Sequence, residues 1–219
     1  MALVHDLDDV VIRSIPVSAM NNNVYLITSK KTGIQVLIDA ADDVEAIERM
    51  LTESIEDSLE PTRLALIATT HRHPDHIRAL AELAERTDAL IGAGEVDADA
   101  IEEATGASVD VRFEHGDVAR FEGFDLTAVH LRGHTPGSIA YVYDDPSGVS
   151  HIFSGDSLFP GGVGNTDRDP ARFASLIDDV EERLFDVYPD ESHVHPGHGD
   201  ATTLGEERPN LGEWRERGW

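Results

Sequence analysis

The residues best able to do chemistry are concentrated in Thr70-His71-Arg72-His73-Pro74-Asp75-His76, where three imidazoles and one carboxylate fall within six positions. Imidazole nitrogens and carboxylate oxygens are the ligands that divalent cations take when no thiolate is present. The segment follows an apolar run, residues 63–69, which reads as a buried strand ending directly at His71. At a strand end residues i and i+2 point the same way, so His71 and His73 can converge on one cation. Pro74 then favours entry into a helix, which would turn Asp75 and His76 toward a neighbouring position. One segment could thus supply two adjacent half-sites. A capping or surface role explains the cluster poorly, because three imidazoles gathered without a metal would titrate awkwardly against one another.

The rest of the composition narrows the choice. There is no cysteine among 219 residues, and there are 11 histidines. Disulfides, thiolate nucleophiles, zinc fingers and Fe–S clusters are thereby excluded, and any metal must use His, Asp or Glu. Lys and Arg number 17 against 43 Asp and Glu, a net charge of −26. Such a surface repels phosphate backbones and anionic lipid, so neither nucleic acid nor membrane is expected as a partner. No run approaches the roughly 18–20 apolar residues that span a bilayer. The acidic start MALVHDLDDV lacks the basic-then-apolar order of a secretory signal, so a cytoplasmic location is expected.

The elements that must position these groups read as strands followed by helices, twice. Residues 10–18, 23–29 and 34–39 are short, rich in β-branched residues and expected as strands, the last two joined by a turn at Lys30–Gly33. Asp42 reads as the N-cap of a helix with Val44, Ile47, Leu51, Ile55 and Leu59 on one face, closed by Pro61. A second helix is expected from about Asp75 to Arg86, then a strand near Leu90 and a helix near 95–104. Strands at 124–132, 138–144 and 149–154 follow. A helix begins at Asp169-Pro170, with Phe173, Leu176, Ile177, Val180 and Leu184 aligned. A polar helical arm, 205–219, ends the chain. No linker separates the halves, so one domain spanning 1–219 is expected. Two sheets packed face to face with helices outside, a four-layer αββα sandwich of the α/β class, would bury all these apolar faces.

Several other residues invite a role. Asp39 ends a strand and suits either a helix cap or an acceptor behind a metal-bound imidazole. His130 suggests packing or support of the site, and His195, before Pro196, could shape its pocket. His5, His115, His151 and His193 read as surface or turn residues. The glycine-rich stretch Pro160–Arg168 lacks the context of a phosphate loop and is expected to wall the pocket. Phe159, Asn165, Arg168 and Arg172 are the candidates to touch substrate.

His71-Arg72-His73-Pro74-Asp75-His76 matches the HxHxDH signature of the metallo-β-lactamase superfamily, which includes the glyoxalase II-like hydrolases. Gly133-His134-Thr135-Pro136-Gly137 resembles the family's third-histidine turn, Phe153–Phe159 its bridging-aspartate segment, and Pro196-Gly197-His198-Gly199 its last-histidine segment. The intervals from His76 through His134 and Asp156 to His198 are 58, 22 and 42 residues. The likeness runs from about Val17 to Arg208. It implies that His71, His73 and His134 bind one metal, that Asp75, His76 and His198 bind a second, and that Asp156 bridges them. Two divalent ions are implied, zinc foremost, with iron or manganese acceptable to an all-N/O site. A water between two such ions loses its proton near neutral pH and attacks a carbonyl carbon, with Asp75 orienting it or receiving its proton. The tail Ala201–Arg208 resembles the ending of short glyoxalase II-like hydrolases, and the helical glutathione-holding domain of glyoxalase II proper is not expected. Cleavage of a small thioester or ester is therefore the leading expectation. A lactonase or a mononuclear-iron persulfide dioxygenase, which uses two His and one Asp, is the alternative. Nothing indicates the oligomeric state.

Overall fold

The structure, a computed structural model, describes residues 1–218, so Trp219 of the expected arm lies outside the described residues. The first half runs β1 (Ala2–Asp6), β2 (Val10–Val17), β3 (Asn22–Ser29), β4 (Ile34–Ile38), α1 (Val44–Glu53), β5 (Arg63–Ala68), α2 (Leu80–Thr87), β6 (Leu90–Gly94), α3 (Glu95–Thr105) and β7 (Val111–Phe113). Its strands form one sheet in chain order, antiparallel from β1 to β4 and parallel from β4 to β7. The second half runs β8 (Val118–Phe121), β9 (Phe124–His130), β10 (Ile139–Asp144), β11 (Ser150–Gly155), a hairpin of β12 (Leu158–Phe159) and β13 (Gly162–Val163), α4 (Pro170–Val180), β14 (His193–Pro196), β15 (Thr202–Thr203), α5 (Leu204–Glu207) and α6 (Leu211–Arg217). Its main sheet has the order β15-β14-β11-β10-β9-β8.

Period-2 alternation sends each strand's side chains to two different cores. Ile12, Tyr25, Ile27, Val36 and Ile38 meet Leu126, Ala128, Tyr141 and Phe153 between the sheets. Val24, Leu26 and Leu37 face outward onto Ile47, Met50, Leu80, Leu83 and Ile101 of α1 to α3. Val129, Ala140, Val142 and Ile152 do the same for Phe173, Leu176, Ile177 and Val180 of α4. The four layers are therefore helix, sheet, sheet, helix, as the sequence leads one to expect. In β5 the pairing with β4 slips by one residue, so Leu64 and Leu66 reach different cores although they are two apart.

Local boundaries differ from the periodicity in three places. Asp43, not Asp42, caps α1, accepting from the Ala46 amide at 3.0 Å; Asp42 pairs with Arg78. The α1 geometry ends at Glu53 and gives way to a 3-10 turn, leaving Ile55 half exposed and Leu59 wholly exposed. Helix α2 begins at Leu80 rather than Asp75. The amides of Arg78 and Ala79 are held by Ala41 and Ala40 carbonyls, so they cannot enter a helix ladder, and Pro74–His76 is a single 3-10 turn. The C-terminal helices are docked rather than free: Trp214 is buried near Phe185. Strand β1, too short and exposed to read from MALVHD, adds an edge to the first sheet. Among the described residues no helix is long and apolar enough to cross a membrane.

Candidate metal centre

The chemistry-bearing residues meet at one rim of the sandwich. His71, His73, Asp75 and His76 follow β5, Asp39 follows β4, His134 sits in the turn from β9 to β10, Asp156 follows β11 and His198 follows β14. Asp39 is held in the left-handed region at φ 58°. Its carboxylate accepts from the Thr70 amide and hydroxyl at 2.7 Å each and from His76 Nδ1 at 2.8 Å. The alternative roles open for Asp39 are thus resolved: it supports an imidazole and caps no helix. The same carboxylate fixes where β5 ends and how His76 faces.

The ligand-type atoms fall into two triads. His71, His73 and His134 form one and Asp75, His76 and His198 the other, and His71, His76 and Asp156 form a third grouping between them. His71 Nε2 lies 3.1 Å from His73 Nδ1, and His76 Nε2 lies 3.3 Å from His198 Nε2. Asp156 reaches both triads: Oδ2 is 3.6 Å from His134 Nε2 and 3.5 Å from His198 Nε2, and Oδ1 is 3.5 Å from His76 Nε2. Asp75 Oδ2 stands 3.3 Å from His198 Nε2. Bonds of about 2.0–2.1 Å to a tetrahedral cation would set ligand atoms roughly 3.3–3.4 Å apart. The donor set therefore fits a pair of divalent cations. Two orphaned buried atoms, His134 Nε2 and Asp156 Oδ1, agree with that fit, since neither has a hydrogen-bond partner.

Four of the five outward-facing ring nitrogens have an oxygen to hold them. His71 Nδ1 is 3.0 Å from Thr70 Oγ1, His134 Nδ1 donates to the Asn165 carbonyl at 2.8 Å, and His198 Nδ1 donates to the Met20 carbonyl at 3.0 Å. With the His76 bond to Asp39, four of the five rings have one orientation and one tautomer imposed from behind. Two glycines let the backbone come this close. A methyl on Gly197 would overlap Asp156 and come within 2.7 Å of His76 Cε1, and one on Gly164 would overlap the Asp156 carbonyl.

Charge follows the same arrangement. Burial pushes His71 well below its ordinary value and lowers His134 and His73, which keeps the first triad neutral, the form that ligates. Burial would also lower His76, but Asp39 and Asp156 outweigh it and raise that imidazole to about 10. In the ion-free protein a proton on His76 thus supplies positive charge between two carboxylates. Burial opposes ionisation of Asp75 and Asp156 as well. The Asn22 amide and His76 hold the first below the usual range, and His76, 3.5 Å from Oδ1, holds the second there.

Asn22 escaped the sequence reading. It is fully buried and donates to Asp75 Oδ2 at 2.9 Å. So did Asp97, which accepts from the Arg72 amide, Thr135 Oγ1 and the Gly137 amide and ties two of the site's turns together. A groove of about 570 Å³ opens beside His73 and His134, flanked by Arg72, Arg132, Asp167 and Arg172. Arg172 lines it, yet its guanidinium is committed to the Gly133 and His134 carbonyls at 2.8 and 2.6 Å and to Asp167. Asn165 engages His134 through its carbonyl, and it lines a neighbouring cavity of about 720 Å³ together with Arg168. Phe159 is half-buried in the β12–β13 hairpin and lines neither cavity. His130 bonds the Pro136 carbonyl and His115 is exposed. His195 packs on Phe153, away from the centre, and His151 is buried, not a surface residue.

A rim of paired sheets carrying His and Asp in two triads is the mark of one class of protein, and the comparisons agree. Residues 17–204 match the profile of the metallo-beta-lactamase superfamily. The chain belongs to that superfamily of metal-dependent enzymes. It is 28% identical to the hydroxyacylglutathione hydrolase GloC of Haemophilus influenzae, covering 90% of this chain and 94% of that one. It is 30% identical to the human mitochondrial persulfide dioxygenase ETHE1, covering 84% and 68%. A solved structure of TTHA1623 in a di-iron-bound form superposes with a TM-score of 0.69 at 32% identity, covering 90% and 96%.

Proposed function

We propose that this chain is a dinuclear metal-dependent hydrolase that cleaves a thioester or ester of a small molecule. The observation that carries the reading is the complete set of His71, His73, His134, Asp75, His76 and His198 with Asp156 between the two triads. Two bound divalent cations would supply Lewis acidity and a water acidic enough to react at neutral pH. The protein's own groups do the rest. Asp39, Thr70, Met20 and the Asn165 carbonyl hold the imidazoles so that the cluster is organised before substrate arrives. Asp75, kept ionised with help from Asn22, is placed to accept a proton from an attacking water and return it to the leaving group. Arg72, Arg132 and Arg172 flank the groove but are each paired with a carboxylate, Asp97, Asp179 and Asp167, so the bound cations would supply the positive charge there in a chain of net charge −26. That favours a small anionic substrate over a docked polyanion.

The identity to a persulfide dioxygenase favours a second reading, oxidation at one iron. The assembled triad of Asp75, His76 and His198 supports two ions instead, and likeness to GloC and to a di-iron-bound structure supports the same choice. A metal count on purified protein, combined with a panel of thioesters, lactones and persulfides and with oxygen uptake, separates them. Two ions per chain with thioester hydrolysis is the expected outcome. One iron with oxygen consumption would overturn it.

A further inference from the structure

A second histidine cluster lies outside this centre. His5 on β1, His151 on β11 and His195 on β14 bring one ring nitrogen each within 4.8 Å of the others. His193 stands beside them, its ring 4.5 Å from His5 and 5.1 Å from His151. The neighbours of His151 and His195 show which way they face. Ile152 and Val194 join the core under α4, so the flanking His151, His193 and His195 point between the sheets. His195 is stacked on Phe153 at 5.0 Å and lies 5.5 Å from Tyr25. On β1 the pairing with β2 slips between Leu3 and His5, which sets His5 opposite Ile12 and turns it to the same interior face. A residue earlier or later, the ring would point away.

The cluster does not satisfy itself. His151 Nδ1 and His195 Nε2 are 3.2 Å apart, and whichever donates, one nitrogen on each ring is left over. Those atoms, His151 Nε2 and His195 Nδ1, are buried without a partner. They lie on the far sides of the two rings, so the atoms an ion would take are His151 Nδ1 and His195 Nε2, with the proton of their contact moved to the far nitrogen of its ring. The 3.2 Å spacing is close to the roughly 3.3–3.4 Å between two imidazole ligands of a tetrahedral ion. Burial lowers His5 and His195 and pushes His151 to about 3, so the rings are in the neutral form that binds metal. His5 and His193 are partly exposed, which leaves an entry path.

We propose that His5, His151 and His195 form a further cation site, all-imidazole and distinct from the catalytic rim, that takes a late first-row divalent ion such as Zn²⁺ or Ni²⁺. An ion there would join the edge strand of the first sheet to two strands of the second. The proposal stands apart from the hydrolase reading, since it concerns a difference of one ion whatever the main centre holds.

The test is a metal count by elemental analysis after stripping and dialysis against micromolar Zn²⁺, and separately Ni²⁺. Wild-type protein should hold one ion per chain more than His5→Ala and one more than His151→Gln. His5 is partly exposed, so its variant keeps the fold even where a buried one does not. Hydrolysis by His5→Ala should stay at the wild-type rate, and the melting temperature of wild type, but not of His5→Ala, should rise with the extra ion. Equal ion counts in wild type and His5→Ala, or extra binding only at millimolar metal, would overturn the site and leave a stacked hydrogen-bonded imidazole pair.

Discussion

Two histidine clusters share the layer between the sheets of this protein, His151 lying five residues before Asp156 and His195 three before His198, and they are held by different means. At the rim, the rings of His71, His76, His134 and His198 are each fixed from behind by an oxygen, and three carboxylates stand among them. In the other cluster the rings are placed by stacking and by one imidazole–imidazole contact, with Asp145 the acid that acts on His151. The contrast separates two uses of the same side chain. Oxygen acceptors choose a tautomer and an angle, which a reacting centre needs. Stacking fixes a position, which is enough to cross-link strands. The charge consequence differs at one ring: His76 is raised by its carboxylates, whereas His71, His73 and His134 at the rim are lowered, as His151 is.

The comparison breaks most severely at the group that belongs to both triads. Asp156→Ala removes the carboxylate between His134 and His198, and His73→Ala removes a ring of the first triad. Losing several kcal/mol of charge stabilisation corresponds to a rate loss on the order of 10³-fold or more. Bound metal should fall in parallel by elemental analysis, while the cluster around His151 is untouched. Full activity in either variant would reject the assignment of the rim as the reacting centre.

The next effect tests whether support from behind matters. Asp39 touches no substrate groove, yet it orients His76 and Thr70. Asp39→Asn keeps the shape and loses the charge, and such support is typically worth ~10–100-fold in metal affinity or activity. Metal titration followed by kcat at saturating metal distinguishes the two: recovery of kcat at high metal indicates weakened binding by an otherwise intact centre. No change in either quantity would mean that the Asp39 bond only shapes the backbone.

How much of this was legible in the chain depends on whether the signal was local. His71 to His76 could be read because one strand end carries four ligand-type groups, and His134, Asp156 and His198 because each lies in a recognisable turn. The layers followed from apolar alternation. Asn22 was hidden because an asparagine 53 residues before Asp75 has no pattern to announce it. The Met20 and Asn165 carbonyls were hidden because every residue has one. The start of α2 was misplaced because Ala40 and Ala41 claim the amides that local periodicity assigns to a helix. His151 reads as a surface or turn residue because the sequence does not say that Ile152 faces α4, which turns the ring between the sheets beside His195, and the slipped pairing of β1 that adds His5 is equally invisible there.

The smallest predicted effect is the pH dependence of folding stability in metal-free protein, in which His76 should act with opposite sign to the buried neutral rings of both clusters. His76 is raised from 6.5 to about 10 in the folded state. Its contribution is therefore complete below pH ~6.5 and lost as pH rises toward 10, because only the folded state holds that proton. His151 is lowered from 6.5 to about 3. Its contribution is complete above pH ~6.5 and lost as pH falls, because the unfolded chain takes a proton that the folded state refuses. Metal-free protein should thus melt highest near neutral pH, with each limb dropping by a few degrees at ~2–4 °C per kcal/mol for a chain of this size. Melting curves between pH 5 and 10 would check this, stopping short of the carboxylate range on the acid side. Asp39→Asn should flatten the alkaline limb and leave the acid limb, whereas His151→Gln should lessen the acid limb, which it shares with His71, His134 and His195, and leave the alkaline one. Metal loading should also remove the alkaline limb, since ligation holds His76 neutral in place of the proton. If both variants flattened the same limb, the two clusters would be electrostatically one system, and the division between an acceptor-wired centre and a stacked one would fail.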